Sequence, residues 1–295
     1  MAPKKRTKTH KVSSKKKKRT NYFWVVIPAI LCLGFLISTT ISPKVEIPYI
    51  SAESVLILDT NSGRTLYEAN SDFPLSPASL TKLMTTLLIF EDLENGKLSL
   101  DEKYIVSPTD TEVLGSKYGL YPGQQVTVEQ LLAGVIRASG CDCVQALVNL
   151  SAESTEAFVA RMNEKAADLG MTGTHFLNAT GIDCEGHYMT ARDIGKLSCT
   201  LLKQHPQILD YTSRRVLEID GLTFHSTHEL VGRDPRVLGL KTGTTTIGGN
   251  SLVTCASFDG KDRLIILLNS STEDSRFLET TEILNALYGG IEDVD

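Results

Sequence analysis

Hydrophobic and polar positions divide the chain into an apolar segment near its start and a long region of mixed pattern. Residues 22–41 contain no charged side chain, and about twenty such residues in a helix cross the hydrocarbon core of a bilayer. Between residues 52 and 290, apolar residues recur at strand or helix spacing. This region is long enough to form one large domain with its own hydrophobic core.

Strand patterns stand at both ends of the 52–290 region, and helical patterns fill its middle. The apolar run at 55–58, a turn-forming segment and an alternating run at 64–68 predict a β-hairpin. Further strands are predicted at 236–241, 251–258 and 263–268, and helices at 128–136, 144–150, 155–169, 191–202 and 276–288. This order predicts an α+β fold, in which an antiparallel sheet joins its first and last strands, is flanked by helices and carries an inserted helical lobe.

Charge is distributed very unevenly between the start of the chain and the rest. The first 20 residues contain ten Lys or Arg and no acidic residue, whereas the other 275 contain 20 basic and 35 acidic side chains. An acidic body argues against a nucleic-acid-binding domain, because phosphate recognition requires a basic face. The basic residues directly before the apolar segment favour retention of that end in the cytoplasm, with the domain facing outward.

These patterns predict four regions. They are a basic cytoplasmic tail (1–21), a transmembrane anchor (22–41), a short extended stalk (42–51) and a catalytic domain (52–290). The alternative for the apolar segment is a cleaved signal peptide. A signal peptide normally has a shorter apolar stretch followed by a small-x-small cleavage site, and the residues at 38–41 form a poor site. We therefore expect a single-pass membrane protein with an extracellular domain.

Ser79 and Lys82 are the first candidates for chemistry. A helix is predicted to begin with Ser76 as its N-cap and Pro77 as its first residue, and to continue to about Leu93. A hydroxyl and an amine three residues apart lie on one face of a helix. A serine hydroxyl is a weak nucleophile unless a base lies within about 3 Å, and a desolvated lysine can be that base.

Two further segments contain candidate residues. Ser139 precedes Gly140 and Cys141 in a small-residue segment, where its hydroxyl could relay a proton or simply belong to an ordinary turn. Lys241-Thr242-Gly243-Thr244 lies at a predicted strand end. A lysine there can bind an anion, the glycine permits close approach of a substrate backbone, and the threonines add hydroxyl or N–H donors.

Together the three motifs resemble those of serine acyl-transferases, the group that contains penicillin-binding proteins and class A β-lactamases and has the set S-x-x-K, S-D-N and K-T-G. Most of the 52–290 region is similar to one branch, the low-molecular-weight D-alanyl-D-alanine carboxypeptidases. The matching segments include PASLTKLMT at 77–85, THFLN at 174–178, GHYMTARD at 186–193 and GLKTGT at 239–244.

This resemblance implies a β-lactamase/transpeptidase-like fold and a serine-type D-Ala-D-Ala carboxypeptidase that trims peptidoglycan stem peptides through an acyl-enzyme and is acylated by β-lactams. It implies no cofactor and no metal. Ser79 would be the acylated nucleophile, Lys82 its general base and Ser139 the group that passes a proton to the leaving amine. Lys241 and Thr242 would hold the terminal carboxylate of the substrate. The N–H groups of Ser79 and Thr244 would form the oxyanion hole, and Arg276 would help to bind the carboxylate.

The sequence departs from the family pattern at Cys141, where Asn is usual. Two other functions stay open: a β-lactamase on the same scaffold, and a catalytically weak penicillin-binding module. A class A β-lactamase would need a Glu-x-x-x-Asn pattern between the second and third motifs, and no Glu there has it. Cys141, Cys143, Cys184 and His187 do not have a standard zinc spacing, and Asp142 between the first two cysteines is expected to be a local cap.

Overall fold

The computed structural model describes residues 46–290, and the central feature of this part of the chain is an antiparallel sheet of five strands in the order β2-β1-β9-β8-β7. Two further pairs, β3 with β4 and β5 with β6, form small two-stranded sheets. The strands are β1 (Ser54–Asp59), β2 (Thr65–Ala69), β3 (Lys103–Ile105), β4 (Gln125–Thr127), β5 (Val216–Ile219), β6 (Leu222–His225), β7 (Val237–Thr245), β8 (Gly249–Phe258) and β9 (Lys261–Ser270).

The predicted meeting of the first and last strands is confirmed. β1 pairs on one side with β2, as the predicted hairpin, and on the other side with β9, in a register that runs from Ser54 opposite Leu268 to Asp59 opposite Arg263. The turn of the hairpin is closed by Asp59, whose side-chain oxygen accepts hydrogen bonds from the backbone N–H and the hydroxyl of Ser62 at 2.9 Å each.

The helical lobe lies between β2 and β7 in the chain, as predicted, and the last helix follows β9. The helices are α1 (Lys82–Glu94), α2 (Pro108–Thr111), α3 (Val128–Arg137), α4 (Cys141–Ser151), α5 (Thr155–Asp168), α6 (Ala191–Gln204), α7 (Ile208–Thr212) and α8 (Glu273–Tyr288). Four of these helices, α3 to α6, correspond to the four helical patterns read in the middle of the sequence.

The sheet is buried on both faces, which explains why its strands are continuous apolar runs. Successive side chains of a strand point to opposite faces. Leu56 accordingly joins a large hydrophobic cluster formed with the helical lobe, whereas Val55 and Ile57 join a second cluster that includes Ile283 and Leu284 of α8. The helical lobe and the terminal helix therefore cover opposite sides of the sheet.

The predicted start of the first helix is wrong in detail. A 3-10 turn formed by Ala78–Thr81 precedes α1, and Ser76 does not cap it, because the Ser76 hydroxyl instead donates to Asp183 at 2.6 Å. Ala78 adopts a positive φ of 50°. This value is incompatible with the right-handed helical region, so a helix cannot run continuously from Pro77 into Lys82.

Residues 46–52 have no regular secondary structure and lie against the domain. Ile47 and Ile50 pack against the cluster that α8 covers, and the backbone N–H of Ser51 donates to Glu279 at 2.8 Å. The predicted tail (1–21) and anchor (22–41), together with the first part of the stalk, lie outside the described residues. Within residues 46–290, no helix combines the length and the hydropathy needed to span a membrane.

Candidate active site

The structure brings Ser79 and Lys82 together at the start of α1. Ser79 lies in the 3-10 turn, Lys82 is the first residue of the helix, and Lys82 Nζ lies 2.9 Å from Ser79 Oγ. The same Nζ donates to the backbone carbonyl of Thr180 at 2.6 Å. Lys82 is 1% exposed, and its burial lowers the pKa of the ammonium group. A buried amine beside a hydroxyl is suited to receive the proton of that hydroxyl.

A second hydroxyl–amine pair joins the helical lobe to the sheet. Ser139 lies between α3 and α4 with a positive φ of 57°, and its Oγ is 2.9 Å from Nζ of Lys241 on β7. Such a φ is strained for a residue with a side chain and is often found at functional sites. Burial lowers the pKa of Lys241 well below its ordinary value, and the charge of nearby Lys82 lowers it further. The two pairs therefore converge on one place.

Gly243 lets strand β7 lie directly against the turn that carries Ser79. A Cβ atom on Gly243 would be 3.1 Å from the carbonyl oxygen of Pro77 and 3.2 Å from Cβ of Ala78, which is tighter than ordinary packing. The sequence assigned this glycine to the approach of a substrate backbone, which stays a prediction. The close neighbour seen in the structure is the protein's own turn.

The other residues of the third motif are held by side chains from other parts of the chain, and one of them, Arg276, was named from the sequence for a different role. Thr242 Oγ1 lies 2.7 Å from Thr227 Oγ1, and Thr244 is exposed. Arg276, which is 3% exposed, donates through Nη1 to the carbonyl of Gly243 at 3.0 Å and to Thr244 Oγ1 at 2.8 Å. Its guanidinium therefore fixes the end of β7, whereas the sequence suggested contact with a substrate carboxylate.

Asp142 has a structural role, but mostly a long-range one and not the local cap that the sequence predicted, since the N-cap of α4 is Gly140. Its buried carboxylate accepts four backbone N–H groups at 2.8–3.0 Å, and this set comprises Tyr118, Gly119, Leu120 and Cys143. Every strong acceptor direction of the carboxylate is thus engaged in holding residues 118–120 against the start of α4. The backbone N–H of Cys141 also bonds this segment, by donating to Ser116 at 2.7 Å.

A loop between α5 and α6 closes the other side of the site. Gly181 has a φ of +83°, and a Cβ atom there would lie 1.8 Å from the carbonyl oxygen of Ala78. The preceding carbonyl, that of Thr180, is the one that binds Lys82. Sequence reasoning missed this contact because a main-chain oxygen has no residue-type signature. Gly181 therefore sets the position of the carbonyl that accepts a hydrogen bond from Lys82.

His187 anchors the same loop to the helix start. Its Nδ1 accepts the backbone N–H of Leu177 at 3.0 Å, so the proton resides on Nε2, which donates to Thr81 Oγ1 at 2.9 Å. Burial lowers the pKa of His187 to about 4, and the ring is neutral at pH 7. Both ring nitrogens are thus engaged with the protein. No cluster of His, Cys, Asp or Glu suited to a metal ion occurs in residues 46–290, and all five cysteines of this range are free thiols.

The site combines a serine in the turn before α1, a buried lysine at the start of that helix, a second serine on the helical lobe and a Lys-Thr-Gly edge strand of an antiparallel sheet. This combination defines the class of penicillin-binding serine proteins. The profile of the D-alanyl-D-alanine carboxypeptidase family matches residues 40–272. The chain belongs to this family. Curated relatives include the D-alanyl-D-alanine carboxypeptidases DacF of Bacillus subtilis and DacC of Escherichia coli, which are 33% and 36% identical over 82% and 81% of this chain. The chain spans 63% and 62% of their lengths.

Solved structures give the same assignment. Penicillin-binding protein D2 of Listeria monocytogenes in its ampicillin-bound form has a TM-score of 0.75 and 31% identity, over 82% of this chain and 98% of that one. A Cys-to-Asn variant of the Streptomyces K15 DD-transpeptidase has a TM-score of 0.75 and 27% identity, over 81% of this chain and 98% of that one. The fold is that of the penicillin-binding proteins and transpeptidases, and it confirms the α+β prediction.

Proposed function

We propose that this protein is a serine-type D-Ala-D-Ala carboxypeptidase that removes the terminal D-Ala from peptidoglycan stem peptides and is acylated by β-lactams. Membership of the carboxypeptidase family supports the substrate class. The observation that carries the chemistry is the 2.9 Å distance between Ser79 Oγ and the buried Nζ of Lys82, whose pKa is lowered. A neutral amine at that distance can accept the hydroxyl proton as the oxygen attacks a carbonyl carbon.

The reaction then proceeds in two halves. Ser79 Oγ bonds to the carbonyl carbon of the penultimate D-Ala and its proton passes to Lys82, while the N–H groups of Ser79 and Thr244 stabilise the oxyanion, each by about 3–4 kcal/mol. The C–N bond breaks, the leaving amine receives a proton through Ser139, and the terminal D-Ala departs. Water next attacks the acyl-enzyme, which releases the shortened peptide and restores the Ser79 hydroxyl.

Lys241 and Thr242 are proposed to hold the terminal carboxylate. Lys241 is buried and lies close to Lys82 and Arg276, and these surroundings lower its pKa. An arriving carboxylate supplies the missing negative charge and so favours the protonated form of Lys241. The Ser139 hydroxyl, 2.9 Å from Lys241 Nζ, lies within reach of the same proton.

Mass spectrometry after incubation with a labelled β-lactam tests this proposal. A stable adduct on Ser79 that disappears in Ser79→Ala supports a carboxypeptidase, rapid turnover of the β-lactam indicates a β-lactamase, and the absence of an adduct indicates a non-catalytic module. Lys241→Ala should lower the turnover of peptides with a free terminal carboxylate far more than the turnover of peptides with an amidated end. Equal losses would remove Lys241 from the assigned role.

Acyl transfer to an amine is the second candidate. The Streptomyces K15 enzyme, a DD-transpeptidase, is 27% identical to this chain. Two K15 variants of known structure replace a serine and a cysteine two positions apart, which is the spacing of Ser139 and Cys141. Product analysis with a D-Ala-D-Ala peptide and an added acceptor amine decides between them, since hydrolysis yields the free acid and transfer yields the new amide.

We also propose that residues 22–41 anchor the protein in the cell membrane with the catalytic domain outside. The ten basic residues of the first 20 and the uncharged stretch that follows support this orientation. Protease added to intact cells should remove the domain and leave the tail protected. Mature protein that begins near residue 42 or later would instead identify a cleaved signal peptide.

A further inference from the structure

A cavity of about 790 Å³ lies away from the candidate active site, at the opposite end of helix α1. Phe90, which lines it, follows Lys82 by eight residues in that helix, which corresponds to roughly 12 Å along the axis. The end of α1, the start of α3, the segment from α6 to α7 and strand β5 form its walls. None of the seven residues proposed for catalysis or substrate binding lines it.

The cavity is surrounded by uncompensated negative charge. Four carboxylates line it, whereas none of its described lining residues is Lys or Arg. None of these carboxylates takes part in an ion pair within residues 46–290. Carboxylates grouped around one concave, solvent-facing space produce a negative potential that attracts a cation. The four residues are Glu94, Glu129, Asp210 and Glu218.

Aromatic and polar side chains form the inner part of the cavity. Phe90 stacks on the His205 ring with 5.5 Å between centroids, and it contacts the Tyr211 ring at 6.3 Å. His205 and Tyr211 are 3% and 6% exposed. Within the described chain, the Tyr211 hydroxyl and the Nε2 atom of His205 make no hydrogen bond, although neither atom is sealed from solvent.

Both polar atoms open to the cavity, so their hydrogen-bonding partners come from the cavity and not from the described protein. A ligand that replaces water there must reproduce those hydrogen bonds. The Tyr211 hydroxyl is also close enough to Glu129 and Asp210 for their charges, after burial itself, to raise its pKa. A ligand that donates hydrogen bonds and carries positive charge would satisfy the hydroxyl and both carboxylates at once.

We propose that this cavity binds an organic cation, namely a primary ammonium or guanidinium group on an apolar body. The cationic head would meet the carboxylates and the Tyr211 hydroxyl, and the apolar body would pack on Phe90 and the leucines of the wall. Aromatic faces attract such cations as well as apolar groups. The volume lies within the range of small-molecule sites, which is about 300–1,000 Å³.

Isothermal titration of the full-length protein with two probes of equal shape tests the proposal. 2-Phenylethylamine is positively charged at pH 7, and 2-phenylethanol is its neutral counterpart. We expect the amine to bind at least about tenfold more tightly, because several partly exposed carboxylates each contribute a few-fold. Equal affinities for the two probes would overturn the proposal.

Charge-neutralising variants locate the binding. Glu129→Gln combined with Asp210→Asn should lower the affinity for the amine about tenfold and leave the affinity for the alcohol unchanged. Glu153→Gln is the matched control, since Glu153 is an exposed carboxylate outside the cavity, and it should bind both probes as the unaltered chain does. Unchanged amine binding by the double variant would overturn the assignment.

A second pair of variants protects the test against a folding defect. Glu94→Gln combined with Glu218→Gln alters only exposed side chains, so the fold should be retained. This double variant should lower the affinity for the amine several-fold without affecting the affinity for the alcohol. Amine binding equal to that of the Glu153→Gln control would again contradict the proposal.

Discussion

Replacement of Gly181 by alanine tests whether the loop that carries the Thr180 carbonyl, the hydrogen-bond acceptor of Lys82, sets the rate of acylation independently of the stability of the domain. The new Cβ atom would lie 1.8 Å from the carbonyl oxygen of Ala78, although non-bonded carbon and oxygen atoms seldom approach within about 3.0 Å. Either the Ala78–Thr81 turn or the loop must therefore move by about 1 Å, which in an active site costs about 10²-fold in rate. Because both segments are backbone, no side-chain rotation can relieve the overlap.

Gly221 provides the matched control for this variant. Its φ of +80° equals that of Gly181 within a few degrees, yet nothing lies within 4 Å of the position of its Cβ atom. Gly221→Ala should thus cost only the backbone strain of a positive φ, which is about 1 kcal/mol of the free energy of unfolding. Gly181→Ala carries that strain together with the steric overlap.

The assay is the second-order rate of Ser79 acylation by a fluorescent β-lactam, measured alongside urea unfolding of each variant. We expect the rate of Ser79 acylation in Gly221→Ala to lie within about twofold of the rate in the original chain, a change of about 0.4 kcal/mol in the barrier. Gly181→Ala should be slowed about 10²-fold when the rate is expressed per folded molecule. Equal rates for the two variants would refute the inference that the loop at Gly181 sets the geometry of Lys82.

Three further predictions concern individual side chains. Asp142→Asn should lower the free energy of unfolding in urea by about 3–6 kcal/mol, since two backbone N–H groups would face an amide donor; full stability with lost acylation would instead make Asp142 catalytic. Because the pKa of His187 is about 4 when folded and about 6.5 when unfolded, the unfolded state binds the extra proton between these values. The free energy of unfolding should therefore fall by up to about 1.4 kcal/mol per unit as pH drops from 6.5 to 4, and His187→Asn should remove that part of the slope in pH-dependent denaturation. In acylation assays, Ser139→Ala should cost at least about 10²-fold and Cys141→Ala about tenfold or less, whereas Cys141→Asn should stay active; equal losses for the two alanine variants would give the thiol a specific role.

The strands and longer helices were predictable because their patterns are repeated over many residues. The β1–β2 hairpin and helices α3 to α6 each contain several apolar positions at a constant spacing, and the structure confirms all of them. Strands β3 and β4, with three residues each, were not predicted, since three residues cannot establish a period. The start of α1 was misread because the positive φ of Ala78 depends on its surroundings.

The candidate site shows the same division between local and long-range information. Ser79 and Lys82 lie three residues apart, so helix geometry alone placed them together. Ser139 and Lys241 are separated by 102 residues, and only the resemblance to a known family connected them. The Thr180 carbonyl and the acceptor role of Asp142 are interactions with main-chain atoms, which a sequence motif does not encode.

The order of strands in the main sheet has a consequence for synthesis of the protein. Strand β1 lies between β2 and β9, and its Ser54 pairs with Leu268, 214 positions later in the chain. A ribosome must therefore make nearly the whole domain before β1 can acquire this partner, and closing so long a loop is slow. Until then the apolar strand Ser54–Asp59 has the free edge that β9 later covers, which favours aggregation of the nascent chain. We therefore expect the yield of folded protein to depend more on how well a chaperone protects this strand than on how fast the helical lobe folds.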